Sequence, residues 1–345
     1  MATEAIYIYG ITPNIPLGEM SESKGNPKIY SIPFQDISAI VSDRESNLID
    51  YTDKESLGYL LVHHQKTIEN LVESGINSVV PMRLGTIANS REEVIKILAC
   101  GYDLMKDTLM KIDHLTEIDM VVSWADFSAV INEIAIHPYI TAMKDEILNS
   151  KNPPSPVDQV RVGMMVQEKL TNKNKEVELR ILDVLSAFSE DIKTHEVMND
   201  QMITNSAFLI KKSKKAKFEL AIDQLDEEYK GLLNFKIVGP LPFYSFYTIE
   251  VKELNKEQVE QAKNELEIED EATESTIKKA YLEKARLVHP DAQTEKADSV
   301  NFNKLNKAYH TMLEYFISKK QSLNIENSAF NNYGTGNLIL LKIKD

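Results

Sequence analysis

The chain has 345 residues, of which 43% are hydrophobic and 27% charged, a composition typical of a folded protein and not of a disordered one. The formal net charge of −14 argues against a nucleic-acid-binding protein, because phosphate backbones would repel it. The single cysteine, Cys100, rules out an intrachain disulfide. Since no apolar run is long enough to span a bilayer and the first residues do not resemble a signal peptide, the sequence predicts a cytoplasmic protein.

The first domain is predicted over residues 1–115 as a small α+β sandwich. Strands are expected where β-branched and aromatic residues lie between turn residues, and helices where apolar residues recur every three or four positions. The predicted elements are strands at 5–11, 28–34 and 37–41, a helix at 53–73, a strand at 78–86 and a helix from Ser90 to about residue 111. This order of elements predicts a sheet with the helices packed against one of its faces.

A second domain is predicted over residues 116–252, and its alternation of strands and helices indicates a ferredoxin-like fold. Three prolines mark residues 151–156 as a loop, because proline cannot continue a helix. The other predicted elements are strands at 118–124, 202–210, 235–238 and 244–251, and a helix at 213–233. Residues 157–198 are predicted to be helical, as one long helix or as two helices in tandem.

The C-terminal region is predicted to be helical over residues 255–320. Thr273 is a suitable N-cap for one amphipathic helix, which Pro290 would end, and a second amphipathic helix is expected from Asp298 to about Ile317. The tail, residues 321–345, ends in an alternating pattern that predicts a strand, which could rejoin the second domain and make the helices an insertion. The predicted class is α+β: two ferredoxin-like α/β sandwich domains, an all-α hairpin and a short C-terminal strand.

The helical hairpin resembles a J domain. The sequence His289-Pro290-Asp291 stands between a basic helix and one that carries aromatic residues, as it does in that family. The resemblance implies that this triad docks on an Hsp70-type ATPase. The basic residues that would take part in docking are Lys278, Lys279, Lys284 and Arg286. Val288 replaces the usual aromatic residue before the triad and no lysine follows it, so two interpretations stay open: a working docking module, or a J-derived spacer that no longer recruits an Hsp70.

The body of the chain resembles the gas vesicle protein L/F family. The similarity lies in residues 78–86, in residues 235–246 with their Gly239-Pro240 turn, and in the opening strand at 6–11. It implies two α/β domains and a role in forming gas vesicles, as a minor component that associates with the small hydrophobic shell protein and with other vesicle accessory proteins. It also implies a location at the gas vesicle.

No arrangement of residues in the sequence indicates an active site, a metal site or a cofactor. His63 and His64 are adjacent on a helix and point about 100° apart, so they cannot share one metal ion. Arg83 precedes a lone Gly85 rather than a glycine-rich phosphate loop, and is expected to be an ion-pair partner first and an interface residue second. His195 has no nucleophile nearby in the sequence. An enzyme is therefore disfavoured.

The aromatic segment at residues 243–247 is the candidate contact for the shell protein. If it were a strand, Tyr244 and Phe246 would lie on one face and Phe243 on the other, so that one face could stay accessible. Tyr244, Phe246 and Arg83 are accordingly predicted as interface residues. The leading hypothesis is a gas vesicle assembly protein that limits aggregation of the shell subunit. The alternative is an Hsp70 co-chaperone whose α/β body binds a client unrelated to gas vesicles.

Overall fold

A computed structural model shows an α+β protein, as predicted. It describes residues 4–14, 28–45, 53–76, 78–150, 153–269, 272–288, 299–326 and 338–343. The chain divides into two compact units, one made of Met1–Lys111 with Tyr247–Asp345 and the other of Ile112–Phe246. The N-terminal sheet and the C-terminal helices thus belong to one unit. None of the described helices has both the length and the apolar character that a membrane crossing requires.

The N-terminal sheet is antiparallel throughout and forms around one long central strand. Its strands are β1 (Glu4–Pro13), β2 (Ile29–Phe34), β3 (Ile37–Glu45), β4 (Val80–Pro81) and β5 (Ile87–Ala88). They lie in the order β2-β3-β1-β4, and β5 also pairs with β1. The strand predicted at 78–86 is reduced to β4, because the chain turns at Gly85, which has a φ of +85°. The amide of Thr86 closes that turn on the carbonyl oxygen of Arg83, at 3.1 Å.

Three helices complete the N-terminal part. They are α1 (Lys54–Glu73), α2 (Arg91–Cys100) and α3 (Tyr102–Ile112). Asp53 begins α1 by accepting the amides of Glu55 and Ser56, the usual stabilisation of a helix start. The single helix predicted from Ser90 to residue 111 is interrupted at Gly101, where a side chain would collide with Leu341: an added Cβ would lie 2.6 Å from its Cδ2.

The second unit has the ferredoxin-like arrangement that was predicted. Its elements are β6 (Leu115–Trp124), α4 (Phe127–Ala135), α5 (Pro138–Leu148), α6 (Pro156–Ser186), β7 (Ser189–Thr194), β8 (Met202–Lys211), α7 (Lys215–Tyr229) and β9 (Leu233–Leu241). The strand order is β7-β8-β6-β9, all antiparallel. Buried side chains of β6 and β8, such as Met120 and Phe208, join apolar residues of α4, α6 and α7 in one core.

The helix predicted over 157–198 ends early. A capping box between Ser155 and Asp158 begins α6, and the helix stops at Ser186. The next residues form the edge strand β7, which the sequence analysis missed. Its sequence, Ser-Glu-Asp-Ile-Lys-Thr, has a single apolar residue and no strand pattern, so pairing with β8 determines its conformation.

The C-terminal helices lie between two strands that pair with each other. The elements are β10 (Ile249–Leu254), α8 (Lys256–Leu266), α9 (Glu274–Val288), α10 (Ser299–Glu326) and β11 (Leu338–Ile343). β10 and β11 form an antiparallel pair. The partner of the C-terminal strand is β10, which overlaps the strand that the sequence predicted at 244–251. Both strands belong to the first compact unit, so the helices form an insertion there. Leu254, Leu340 and residues of all three helices share one core.

Candidate interaction surfaces

The helices that resemble a J domain have a well-packed interior. Ile277 of α9 and Leu305 and Met312 of α10 are buried. Tyr281 stacks on Tyr309 with ring centroids 4.4 Å apart, and its hydroxyl donates to Asn306 Oδ1 at 2.5 Å. These contacts fix the rotation of α9 against α10 and so determine which side chains of α9 point outward.

Three of the four predicted docking cations are exposed on α9. Lys278, Lys279 and Arg286 lie on its solvent side, where Lys279 also lies 4.0 Å from Glu283. Lys284 differs, because its ammonium donates to the carbonyl oxygen of Glu265 at 2.6 Å and pairs with Glu267 at 2.9 Å. Lys284 therefore joins α9 to the end of α8 and is less available to a partner.

His289, Pro290 and Asp291 lie outside the described residues, and their role stays a prediction. The last described residue before them is Val288, at the end of α9, and the next described residue is Ser299, at the start of α10. The triad is therefore bracketed by the two helices that the sequence predicted.

Arg83 lies in an ion-pair network within the first unit. Its guanidinium group pairs with Glu250 of β10, and its backbone amide donates to the carbonyl oxygen of Ile249 at 2.8 Å. Glu250 also faces Lys342 of β11 at 3.7 Å, and Lys342 lies 4.0 Å from Glu314 of α10. The network connects the turn after β4 to the strand pair and to α10, which supports a structural role for Arg83 while leaving its exposed side accessible.

The two adjacent histidines of α1 face the N-terminal sheet. His64 is buried, and its Nδ1 lies 2.9 Å from the hydroxyl of Tyr7, which also accepts the amide of Gly85 at 3.2 Å. His63 stacks on Tyr9 with centroids 5.9 Å apart. Across the described ranges no three His, Cys, Asp or Glu residues are grouped so as to hold a metal ion. The pair links α1 to β1 and to the turn at Gly85.

The segment expected to begin a strand at Tyr244 forms a turn instead. The amide of Tyr244 donates to the carbonyl oxygen of Pro242 at 2.7 Å, and that of Phe246 to Phe243 at 3.3 Å. The strand prediction is wrong for these residues because the turn lets both Phe243 and Phe246 be buried, which alternation along a strand would not allow. Phe246 is 5% exposed, whereas Tyr244 is half-buried.

A buried carboxyl group holds this turn in place. Glu117 of β6 is fully buried and accepts the amide of Ser245. Burial raises the pKa of Glu117 to about 8, opposed by the Ser245 hydrogen bonds. Asp119, two residues along β6, also has a pKa raised by burial, with His195 opposing the rise. Sequence analysis missed Glu117, since a lone Glu in a strand gives no sign of which face it occupies.

The structure also places a hydroxyl beside His195, which the sequence had left without a nucleophile. Ser245 Oγ lies 3.4 Å from His195 Nε2. Asp119 Oδ1 is buried and makes no hydrogen bond to any described residue, so this oxygen does not orient the imidazole as the aspartate of a catalytic triad does. Within the described part of the chain, Asp119 Oδ1 therefore does not complete a catalytic triad with His195 and Ser245.

Comparison with known proteins assigns the two parts of the chain to different families. The profile described as "Gas vesicle synthesis protein GvpL/GvpF" matches residues 5–248. The profile described as "DnaJ domain" matches residues 264–315, which cover the end of α8, all of α9 and the first half of α10. The first match ends at the start of β10, so the inserted helices lie beyond it.

Curated relatives and a solved structure agree with the first match. The chain is 21% identical over 248 residues to gas vesicle protein F of Microcystis aeruginosa strain PCC 7806, covering 71% of this chain and 98% of that one. It is 23% identical to gas vesicle protein F1 of Halobacterium salinarum strain NRC-1, covering 72% and 95%. The crystal structure of GvpF from Anabaena sp. PCC7120 is similar in fold, with a TM-score of 0.60, 18% identity, and coverage of 70% and 97%.

Proposed function

We propose that this chain, which belongs to the gas vesicle synthesis protein GvpL/GvpF family, is a non-catalytic assembly protein of gas vesicles. In this role its α/β body binds the small hydrophobic shell protein and limits its aggregation while vesicles form. The match over residues 5–248 carries the proposal, because it includes both sheets of the body. The relatives named gas vesicle protein F support it. We propose a cytoplasmic location, with the protein becoming a minor component of the vesicle alongside other accessory proteins.

We propose that the shell protein contacts Tyr244 and Arg83. Tyr244 is the half-buried aromatic residue of the turn that Glu117 holds, and Phe246 supports that turn from the buried side. Tyrosine and arginine are enriched where protein surfaces meet. The hydroxyl of Tyr244 is buried, so its ring would make the contact. Since Phe246 is buried, its part in the contact would be to hold Tyr244 in place.

The inserted helices would bring an Hsp70-type chaperone to the bound shell protein. Support comes from the match to the DnaJ profile and from the exposed cations Lys278, Lys279 and Arg286 on α9. Exposed charges of one sign steer an oppositely charged partner and raise its rate of association. His289-Pro290-Asp291 follows this helix directly, at the position that the resemblance assigns to docking.

A pull-down of the tagged protein from its own cytoplasm tests these roles, with the wild type and His289→Gln compared side by side. We expect the shell protein with both and an Hsp70 with the wild type only. Shell protein without any Hsp70 would leave the body as a shell-binding unit and make the helices a spacer. Absence of the shell protein from both samples, at matched expression, would contradict the assembly role.

A second candidate function is that of an Hsp70 co-chaperone with a client unrelated to gas vesicles. The exposed cations of α9 favour it as much as they favour the first proposal. The same pull-down separates the two, because this function predicts an Hsp70 and another client without the shell protein.

A further inference from the structure

A cleft in the second unit lies between α4, α6 and the turn that follows α7. Its volume is about 420 Å³, within the range of pockets that bind small ligands or a few side chains. Trp124 and Tyr229 supply aromatic walls, and Val130 and Val177 supply aliphatic ones. None of these residues belongs to the proposed shell contact or to the inserted helices.

Trp124 is held firmly at the base of this cleft. Its indole nitrogen donates to Asn174 Oδ1 at 2.7 Å, and its backbone carbonyl accepts the side-chain amide of Gln201 at 2.9 Å. The backbone nitrogen of Trp124 donates to the carbonyl oxygen of Gln201 at 3.1 Å. A ring fixed in this way loses little conformational entropy when a ligand packs against it.

A cation of the protein already lies against this ring. The ammonium of Lys173 lies 5.5 Å from the centre of the indole and 2.7 Å from both carboxylate oxygens of Glu133. This pair is a weak one, since the side chain of Lys173 is 30% exposed and that of Glu133 is 66% exposed. Because the carboxylate of Glu133 is mostly exposed, an incoming cation can compete with Lys173 for it.

The remaining charges of the cleft are negative. Asp126 and Glu176 line it together with Glu133, so three carboxylates face one lysine. Asp126 caps α4 by accepting the amide of Ala129 at 2.9 Å. Glu176 is exposed and has no ion-pair partner among the described residues. The cleft thus combines an aromatic face, apolar walls and an excess of negative charge.

We propose that this cleft binds an arginine-bearing amphipathic segment of a protein partner. Trp124 is 3% exposed, so a ligand reaches the indole only by displacing Lys173. A guanidinium group is planar and weakly hydrated, so it can take the place of Lys173 over the ring and pair with Glu133 or Glu176. Apolar neighbours of the arginine would pack against Val130 and Val177. The chemistry of the cleft favours arginine over a neutral side chain of the same shape, because only a cation can take over the contact that Lys173 makes with Glu133.

Trp124 is the only tryptophan of the chain, so its emission reports on the cleft alone. The full-length protein is titrated with a short capped peptide in which one arginine stands between leucines, and binding is measured by tryptophan emission and by calorimetry. The matched peptide carries citrulline, which keeps the shape of arginine and removes its charge. We expect saturable binding of the arginine peptide and affinity for the citrulline peptide weaker by about tenfold or more.

Variants of the protein distinguish this role from a purely structural one. Glu176→Gln should weaken binding about fivefold to tenfold, whereas Glu178→Gln, on the other side of the same helix, should leave it unchanged. Lys173→Ala should tighten binding by a few-fold, since it removes the competing cation; loss of a structural contact would not improve affinity. Absence of saturable binding by both methods, equal affinity for the citrulline peptide, or weaker binding to Lys173→Ala would overturn the proposal.

Discussion

The backbone nitrogen of Ser245 lies 3.2 Å from each carboxylate oxygen of Glu117, and the side chain of Glu117 is completely buried. The amide of Ser245 therefore donates a hydrogen bond to the buried carboxyl group of Glu117, at the turn that contains Tyr244. Because the folded pKa of Glu117, about 8, is above its ordinary value of 4.5, the folded protein binds this proton more tightly than the unfolded chain does. The resulting stabilisation is fully present below pH 4.5 and is lost as the pH rises through 8.

Glu117→Gln should flatten this dependence on pH. In the wild type the free energy of unfolding should fall by up to about 1.4 kcal/mol for each pH unit within that window, and Asp119 adds a change of the same sign. Urea unfolding followed by Trp124 emission measures the second unit at several pH values. Glu196→Gln, an exposed change in the same unit, is the control and should keep the slope of the wild type. An equally steep slope in Glu117→Gln would contradict the assignment.

Tyr7→Phe should loosen the turn at Gly85. The Tyr7 hydroxyl bridges His64 Nδ1 and the Gly85 amide, so its removal leaves buried polar groups without this partner and should cost about 1–3 kcal/mol. Calorimetry gives the stability, and hydrogen exchange at the Gly85 amide should become faster. Tyr59→Phe, on the exposed side of α1, is the matched control and should change neither. Unaltered exchange at Gly85 in Tyr7→Phe would show that the bridge does not hold the turn.

Gly101→Ala should destabilise the first unit by about 1–3 kcal/mol, because the added methyl group meets the buried Leu341. Adding Leu341→Ala should recover part of the loss, so that the double variant is more stable than the sum of the two single effects. Calorimetric unfolding measures all three variants.

Gly58→Ala is the control for Gly101→Ala. It lies inside α1 with open space around it, and alanine there should stabilise the helix by up to about 1 kcal/mol. Strict additivity of Gly101→Ala and Leu341→Ala would argue against the close approach of β11 to α2.

Reversing the charge of exposed cations on α9 should weaken the binding of an Hsp70 without lowering the stability of the protein. Lys279→Glu with Arg286→Glu should lower Hsp70 ATPase stimulation about tenfold while leaving the thermal midpoint within a few degrees, because both side chains are exposed. Lys284→Ala should instead lower stability by about 1 kcal/mol, since Lys284 joins α9 to Glu265 and Glu267. Stimulation that survives the charge reversal would remove these cations from the docking surface.

Local patterns were sufficient for much of the fold. Apolar spacing predicted the helix at 53–73, and the Pro-rich loop before Val157 predicted the start of α6, because periodicity and prolines act over a few turns of the chain. The alternation of strands and helices indicated the ferredoxin-like arrangement of the second unit, although the predicted elements lacked β7. The family resemblances also rested on short segments that the sequence shows directly.

Long-range contacts decided what the sequence could not show. Thr194 ends a strand only because Ser206 of β8 pairs with it, and Gly101 interrupts a helix beside Leu341, which is distant in sequence. The aromatic run at Tyr244 has high strand propensity, but burial of the neighbouring phenylalanines favoured a turn. The Trp124 cleft is lined by residues of β6, α4, α6 and the turn after α7, which are distant in sequence, so the sequence did not indicate it.

The pairing of Leu254 with Leu338 has a consequence for any partner that the helices bind. β10 ends at Leu254 and β11 begins at its partner Leu338, and Leu254 and Leu340 contribute to the core of the helices. A domain on a single flexible linker samples many positions, so the linker sets only the effective local concentration of its bound partner. Here the two ends of the helical insertion lie side by side in one strand pair, so a bound chaperone would have a defined orientation relative to the N-terminal sheet. Lengthening one junction between the strands and the helices would change this orientation more than the affinity for the chaperone.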